Sequence, residues 1–355
     1  MVRAGFRGFG RGISRRNRGN DNANLSLRES HRQARRIGEF PLAITAAARH
    51  SGAMTARQKS VAAPPSAPVP AAVPAWLRRA LRADMSADTT GAALAAGAAL
   101  GALDLLVRRQ EVWAGVWRQR LALRAAAISA RRVGRPEDEA GLRDAVMFTR
   151  PGDDPGPGGA ILVAWQRLAA RPASTLSATL SGGGDAGQAA AFGPWVGPDA
   201  GDTPLPDAGG IVAALAADHG ADHAPWLADL RLARALGWRV AVPLLGTQPR
   251  TRPRTPAGNR EAAALQALAR AAVQAVDLGA DLGRRADRLA AVAPKLRARG
   301  AAAVVARLLE VDAMSAAQPV PGMSDRGLRR LFDRLVDLGA LRELTGRGSF
   351  RLYGL

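Results

Sequence analysis

The sequence predicts a mainly α-helical fold: an Ala-rich helical bundle with a C-terminal winged helix-turn-helix carrying a short β-hairpin. Three observations predict it. Alanine makes up about a fifth of the chain while aromatics are 4%, which favours helices packed through small side chains over sheets rich in Val, Ile and Tyr. Hydrophobic content is 47%, ordinary for a folded protein, so a sizeable core is available. The stretch from Ser324 to Leu355 reads as one capped amphipathic helix, a glycine stop and a hairpin.

Residues 1–53 show no sustained periodicity, and Phe6-Arg-Gly-Phe-Gly-Arg-Gly with Arg15-Arg-Asn-Arg resembles a disordered Arg/Gly arm. Three readings fit them: an RNA-binding arm, a transit peptide, or a misassigned start with translation beginning at Met54. We favour the last. Ala/Pro-rich residues 60–74 form a linker that cannot be helical. The domains expected are therefore a basic leader and linker over 1–74, a helical core over 75–248, a helical region over 258–312, and a winged-helix unit over 313–355 continuing from a helix at 301–313.

Within the core, Ala75–Leu81 is a short helix, and Ser86 or Asp88 can cap the next one, over Gly91–Arg108. That run is apolar but Ala- and Gly-dominated, contains Asp104 and sits at the short limit for a span, so it reads as a buried core helix and not a membrane segment. Glu111–Arg132 carries an apolar stripe of Trp113, Trp117, Leu121 and Leu123. A helix from Pro136 to Phe148 has Glu137, Asp138 and Glu139 at its positive end. Further helices are expected at Ile161–Ala170, Gly210–Asp218, Pro225–Leu236, Asn259–Leu278 and Leu282–Arg299, with an extended segment at Val240–Leu245. Residues 172–208 and 247–258 read as loops and linkers.

In the tail, Ser324 caps a helix whose Leu328, Leu331, Phe332, Leu335 and Leu338 form one buried stripe. Arg326, Arg329, Arg330 and Asp333 fall largely on the opposite face. Gly339 ends the helix. Strands over Leu341–Thr345 and Ser349–Tyr353 then turn at Gly346-Arg-Gly348, with Leu344, Phe350 and Leu352 inward, Arg347 at the tip and Arg351 beside it. In a winged helix the second helix of the motif enters the major groove and its arginines reach guanine edges or phosphates. Arg326, Arg329, Arg330, Arg347 and Arg351 are thus the candidate nucleic-acid contacts. The same unit also serves as a protein-docking module, so DNA and a protein partner are the two partner classes.

The formal net charge is +20. Residues 1–60 hold thirteen basic and three acidic residues, half of that excess, and only Lys59 and Lys295 are lysines. Basicity therefore supports a polyanionic partner only locally. There is no cysteine, which excludes disulfides and thiolate metal sites and fits a reducing, cytoplasmic setting.

Candidate chemistry is sparse. Asp218-His219-Gly-Ala-Asp222-His223 places two histidines four apart, as helical metal ligands are, but Gly220 and Pro225 flank them and no third ligand is near. Capping of the helix at Pro225 by Asp222 and His223 is the favoured account, so no metal is expected and His219 and His223 are weak candidate ligands. Arg150-Pro-Gly-Asp153-Asp154-Pro-Gly could hold Mg²⁺ or orient an arginine, but reads best as a structural turn that starts the next helix. Gly182-Gly-Gly-Asp-Ala-Gly187 lacks the Gly-Lys-Ser/Thr ending of a phosphate loop. No hydrolase elbow, zincin or dinucleotide fingerprint is present. No cofactor is expected, and an enzyme centred on Asp153, Asp154, His219 and His223 is the least favoured reading.

Several strings carry a resemblance. They are Ala96-Gly-Ala-Ala-Leu-Gly-Ala-Leu-Asp104, Arg118-Gln-Arg-Leu-Ala-Leu-Arg-Ala-Ala-Ala127, and Glu137–Asp144 leading into Thr149–Pro157. Trp226–Trp238, Val242-Pro-Leu-Leu245 and the tail from Arg342 to Leu355 complete the set. Over about 92–355 the chain resembles an alphaproteobacterial domain-of-unknown-function family, number 1403. The resemblance implies bacterial origin and brings no activity or site residues. The C-terminal layout is also similar to that of adenylyl-transferring Fic-like proteins, but their His-Pro-Phe and Gly-Asn-Gly-Arg string is absent; His223-Ala-Pro-Trp226 is a faint echo.

Overall fold

A computed structural model describes residues 73–82, 88–150, 152–174, 215, 225–249 and 257–355. All lie within the compact unit Pro64–Leu355. The leader, the Ala/Pro linker up to residue 72, the helix expected at Gly210–Asp218 (Leu215 apart), and both His219 and His223 fall outside the described residues.

The fold is mainly helical, with a small three-stranded antiparallel sheet near the C-terminus. In chain order the helices are α1 (Ala75–Ala80), α2 (Thr89–Arg109), α3 (Ala114–Arg132), α4 (Glu139–Met147), α5 (Gly156–Ala170), α6 (Pro225–Ala235), α7 (Ala257–Val292), α8 (Ala301–Glu310) and α9 (Asp325–Asp337). Strand β1 (Met314–Ser315) precedes α9, and β2 (Arg342–Glu343) and β3 (Leu352–Gly354) follow it.

Sequence patterning places most of these helices. Asp88 caps α2 by accepting from the Gly91 N–H at 3.0 Å, and Asp138 caps α4 from Gly141 at 2.8 Å. Tryptophans 113 and 117 are buried as the stripe requires, and the Trp117 indole N–H donates to the Ala275 carbonyl at 2.9 Å, tying α3 to α7.

Helix α2 is long and apolar enough by composition to cross a membrane. In this fold it lies along α7, burying Ala92, Ala95, Ala96, Ala99 and Leu103. Asp104 of α2 accepts from the Trp238 indole and from Arg108, each at 2.8 Å, so the one acid in the run is paired.

Two expected helices, Asn259–Leu278 and Leu282–Arg299, are one. Helix α7 runs unbroken through Gly279 and stops at Val292, where Pro294 sits in a 3₁₀ turn over Ala293–Lys295. Gly279 reads as a stop but is a notch: a Cβ there would lie 2.6 Å from Leu106 Cδ2 and 3.3 Å from the Trp113 ring. It lets α2 and α3 approach α7 closely, which repays the helix propensity that glycine lacks.

Asp229 on α6 is wholly buried. It accepts the N–H groups of Leu245 at 2.8 Å and Gly246 at 3.2 Å, closing the 3₁₀ turn Leu245–Thr247. Gly246 in turn seats the Trp165 ring, since a Cβ there would lie 2.3 Å from Trp165 Cη2. Burial pushes the Asp229 carboxyl up from 3.8 to about 7, against the pull of its backbone donors. A raised folded-state value means that the stabilising contribution is complete below the unfolded value and is lost as pH rises through the folded one. Stability should therefore fall between about pH 4 and pH 7, by on the order of 4 kcal/mol from this group alone. Asp229→Asn, which stays neutral, should flatten that slope in urea unfolding while costing a hydrogen bond to Gly246. An unchanged slope would refute the assignment.

At the C-terminus, Ser324 accepts from the Gly327 N–H at 3.2 Å, and Gly339, at φ +65°, ends α9. The Ala340 N–H reaches back to the Leu335 carbonyl at 2.9 Å. Leu328, Leu331, Phe332 and Leu335 are buried as expected. The hairpin also forms, though its paired strands are only β2 and β3, with Glu343 opposite Tyr353. β1 pairs with the other edge of β3, giving the order β1-β3-β2. Residues 316–323 between β1 and α9 form turns. One feature differs from expectation. Phe350 does not point inward: it has φ +56°, is 74% exposed, and sets its ring edge-on to Phe148 at 5.7 Å.

Candidate functional site

Helix α9 carries the candidate site. Its apolar stripe faces the core, and Phe332 stacks on Tyr353 of β3 at 4.6 Å, which fixes how the helix rolls on the sheet. The opposite face then has no choice but to be exposed. Arg326, Arg329 and Arg330 lie there, together with Arg334. Among the described residues none of these four makes an ion pair or a side-chain hydrogen bond, while elsewhere arginines are commonly committed to acids.

Charge along this face is polarised. Arg326, Arg329 and Arg330 outnumber Asp325 in the N-terminal half, while Asp333 and Asp337 outnumber Arg334 in the C-terminal half. The helix dipole and the free N–H groups of the first turn add positive potential at the arginine end. Anionic oxygen is therefore attracted to one end of the helix, not to its whole length.

The hairpin arginines behave differently. Arg347 reaches across to Asp144 of α4 at 2.5 Å, so the hairpin tip is pinned to the body. Arg351 donates to the Arg347 carbonyl at 3.1 Å and lies 3.8 Å from Glu343. Arg329, Asp333, Phe350, Arg351 and Tyr353 line a groove of about 600 Å³ between α9 and the hairpin, together with Phe148 at the C-terminal cap of α4. The five sequence-picked arginines thus split into three on α9 with no partner among the described residues and two held in the hairpin. Reasoning from sequence missed Arg334, although it is four residues after Arg330 and on the same side. It also missed Asp144 and Phe148, for which no local pattern exists.

A buried ion cluster supports the whole unit. Asp312, between α8 and β1, accepts from Arg120 Nε of α3 through Oδ1 and from Arg143 Nε of α4 at 2.6 Å through Oδ2. Arg120 also donates to the Leu355 carbonyl at 3.3 Å. Gly354 fits beside it: a Cβ there would lie 2.6 Å from the Asp312 carbonyl oxygen.

The Arg150–Gly156 loop is a turn. Asp153 N–H returns to the Arg150 carbonyl at 3.0 Å, and Asp154 accepts from Gly156 N–H at 2.8 Å at the start of α5. Among the described residues no three His, Cys, Asp or Glu side chains gather to hold a metal.

Fold and site together define a mainly α-helical protein in which a small C-terminal sheet frames an arginine-faced helix. The family model described as a protein of unknown function, DUF1403, matches residues 65–182 and 206–355, and the chain belongs to that family. No curated protein and no solved structure matches it. Two strings that carried the resemblance, Trp226–Trp238 and Val242–Leu245, meet in space through the Asp229 carboxylate and its N–H donors.

Proposed function

We propose that the chain is a DNA-associated accessory or regulatory protein of the bacterial cytoplasm that grips duplex DNA with the N-terminal half of α9. Helix α8, the three strands and α9 would make a winged helix reduced by one helix, in which the turns at 316–323 replace the first helix of the motif. The single observation that carries this reading is the set of exposed, unpaired guanidiniums at the positive end of α9. Recognition helices contact bases and phosphates through that end, and arginine suits both contacts.

Binding of a fluorescein-labelled duplex at low salt tests it. Residues 54–355 should bind, and Arg326→Ala should weaken the complex; no binding at low salt ends the proposal. The ion pair of Arg347 with Asp144 restrains the wing in this reading. Asp144→Asn should free Arg347 for the backbone and tighten binding by about two- to fivefold, in keeping with the modest worth of an exposed pair. Weaker binding in that variant would mean that the pinned wing is the active form.

A helical scaffold that binds protein is the second reading, favoured by the exposed Phe350 beside the groove. It predicts no DNA binding at any salt concentration and loss of a protein partner on Phe350→Ala.

A further inference from the structure

A second cavity, of about 610 Å³, lies away from the α9 face, among α3, α4, α5 and the end of α8. Its size suits a small organic ligand. Its walls are of two kinds. Val146, Met147, Leu162 and Val163 make an aliphatic side, and Arg118 and Arg143 bring guanidinium groups to the same space.

Arg118 is the informative residue. It is half-buried, and its Nε donates to the Ala169 carbonyl at 3.1 Å. No carboxylate pairs with it among the described residues. Burial, and then repulsion from Arg239, pull this guanidinium below the ordinary arginine value. A cation partly taken from water, repelled by another cation and with no carboxylate partner among the described residues, is costly to hold. Arg143 spends its Nε on Asp312, a carboxylate it already shares with Arg120. The acid on the cavity's wall that is not so engaged, Glu310, is exposed and sits 3.7 Å from Arg307. Positive charge is thus left over inside the cavity and is not cancelled by its own walls.

Shape is built in as well. At Gly115 a Cβ would lie 2.8 Å from the Glu310 Cα, so glycine lets α3 and α8 close one end of the cavity backbone to backbone.

We infer that this cavity binds a phosphate monoester of a small organic molecule, its phosphate held by Arg118 and Arg143 and its body laid on the aliphatic wall. A phosphate monoester brings about two negative charges and several acceptor oxygens to two guanidinium forks, the match that arginine makes best. The inference is independent of how α9 is used.

Isothermal titration calorimetry on the full chain at physiological salt tests it, with 4-nitrophenyl phosphate, inorganic phosphate and 4-nitrophenol as probes. The ester should bind with one site per chain, about tenfold or more tighter than either fragment. Arg118→Gln should weaken it at least about tenfold and Arg118→Lys less, because lysine keeps the charge but loses the fork. Val163→Glu, which leaves Arg118 in place and puts a carboxylate on the wall, should abolish binding. Arg299→Gln, outside the cavity, should leave it unchanged. Thermal unfolding of each variant separates loss of binding from loss of fold. Absence of binding by the ester overturns the proposal. So does equal binding of inorganic phosphate, affinity unaffected by both Arg118→Gln and Val163→Glu in folded protein, or equal loss in Arg299→Gln.

Discussion

Asp312→Ala should destabilise the protein by about 3–5 kcal/mol, the cost of removing one member of a buried ion cluster. The Asp312, Arg120 and Arg143 side chains are 6%, 13% and 10% exposed. Without the carboxylate, two guanidiniums from α3 and α4 face each other with no acid between them. The damage should be greatest where Asp312 leads directly into β1, so the C-terminal sheet should lose protection from hydrogen exchange first. Asp312→Asn keeps an acceptor but not the charge and should fall between. Replacing all three residues together by Met, Leu and Met should restore much of the loss, because a well-packed apolar set avoids the desolvation cost that the ions carry. Urea unfolding checks each case. A cost below about 1 kcal/mol for Asp312→Ala would show that the cluster is solvated and structurally idle.

Arg329→Ala combined with Arg330→Ala should reduce DNA affinity by about ten- to a hundredfold at low salt, while leaving the melting temperature nearly unchanged. The two effects separate because both side chains are exposed and, among the described residues, make no ion pair or side-chain hydrogen bond. Their loss removes charge from the end of α9 where the dipole is also positive. The basic leader complicates the same measurement on the full chain, since residues 1–60 carry half of the net charge. Residues 54–355 remove most of that background.

Local features of this protein were legible in its sequence because they rest on local physics. The Ser324 cap, the Gly339 stop and the stripe from Leu328 to Leu335 each follow from residues within a turn or two of one another. The exposed arginines follow from the stripe by simple geometry. What stayed hidden depends on distant partners. Asp312 is 192 residues from Arg120 and 169 from Arg143, and nothing near any of them announces the cluster. Gly279 looks like a helix break, and only the approach of Leu106 and Trp113 explains why it is not. Phe350 fits the inward alternation of a strand, yet the hairpin is unpaired at that point and the ring turns out towards Phe148. Arg347 at a glycine-flanked tip reads as free, and Asp144 takes it.

The salt dependence of duplex binding by residues 54–355, compared with the Arg329→Ala, Arg330→Ala variant, decides whether α9 meets DNA. Each phosphate contact contributes about 0.9 to the slope of log affinity against log salt. The parent chain should show a steep slope, and the variant one shallower by about 1–2. Equal slopes and equal affinities in the two would contradict that expectation, and would remove α9 as the surface that meets DNA.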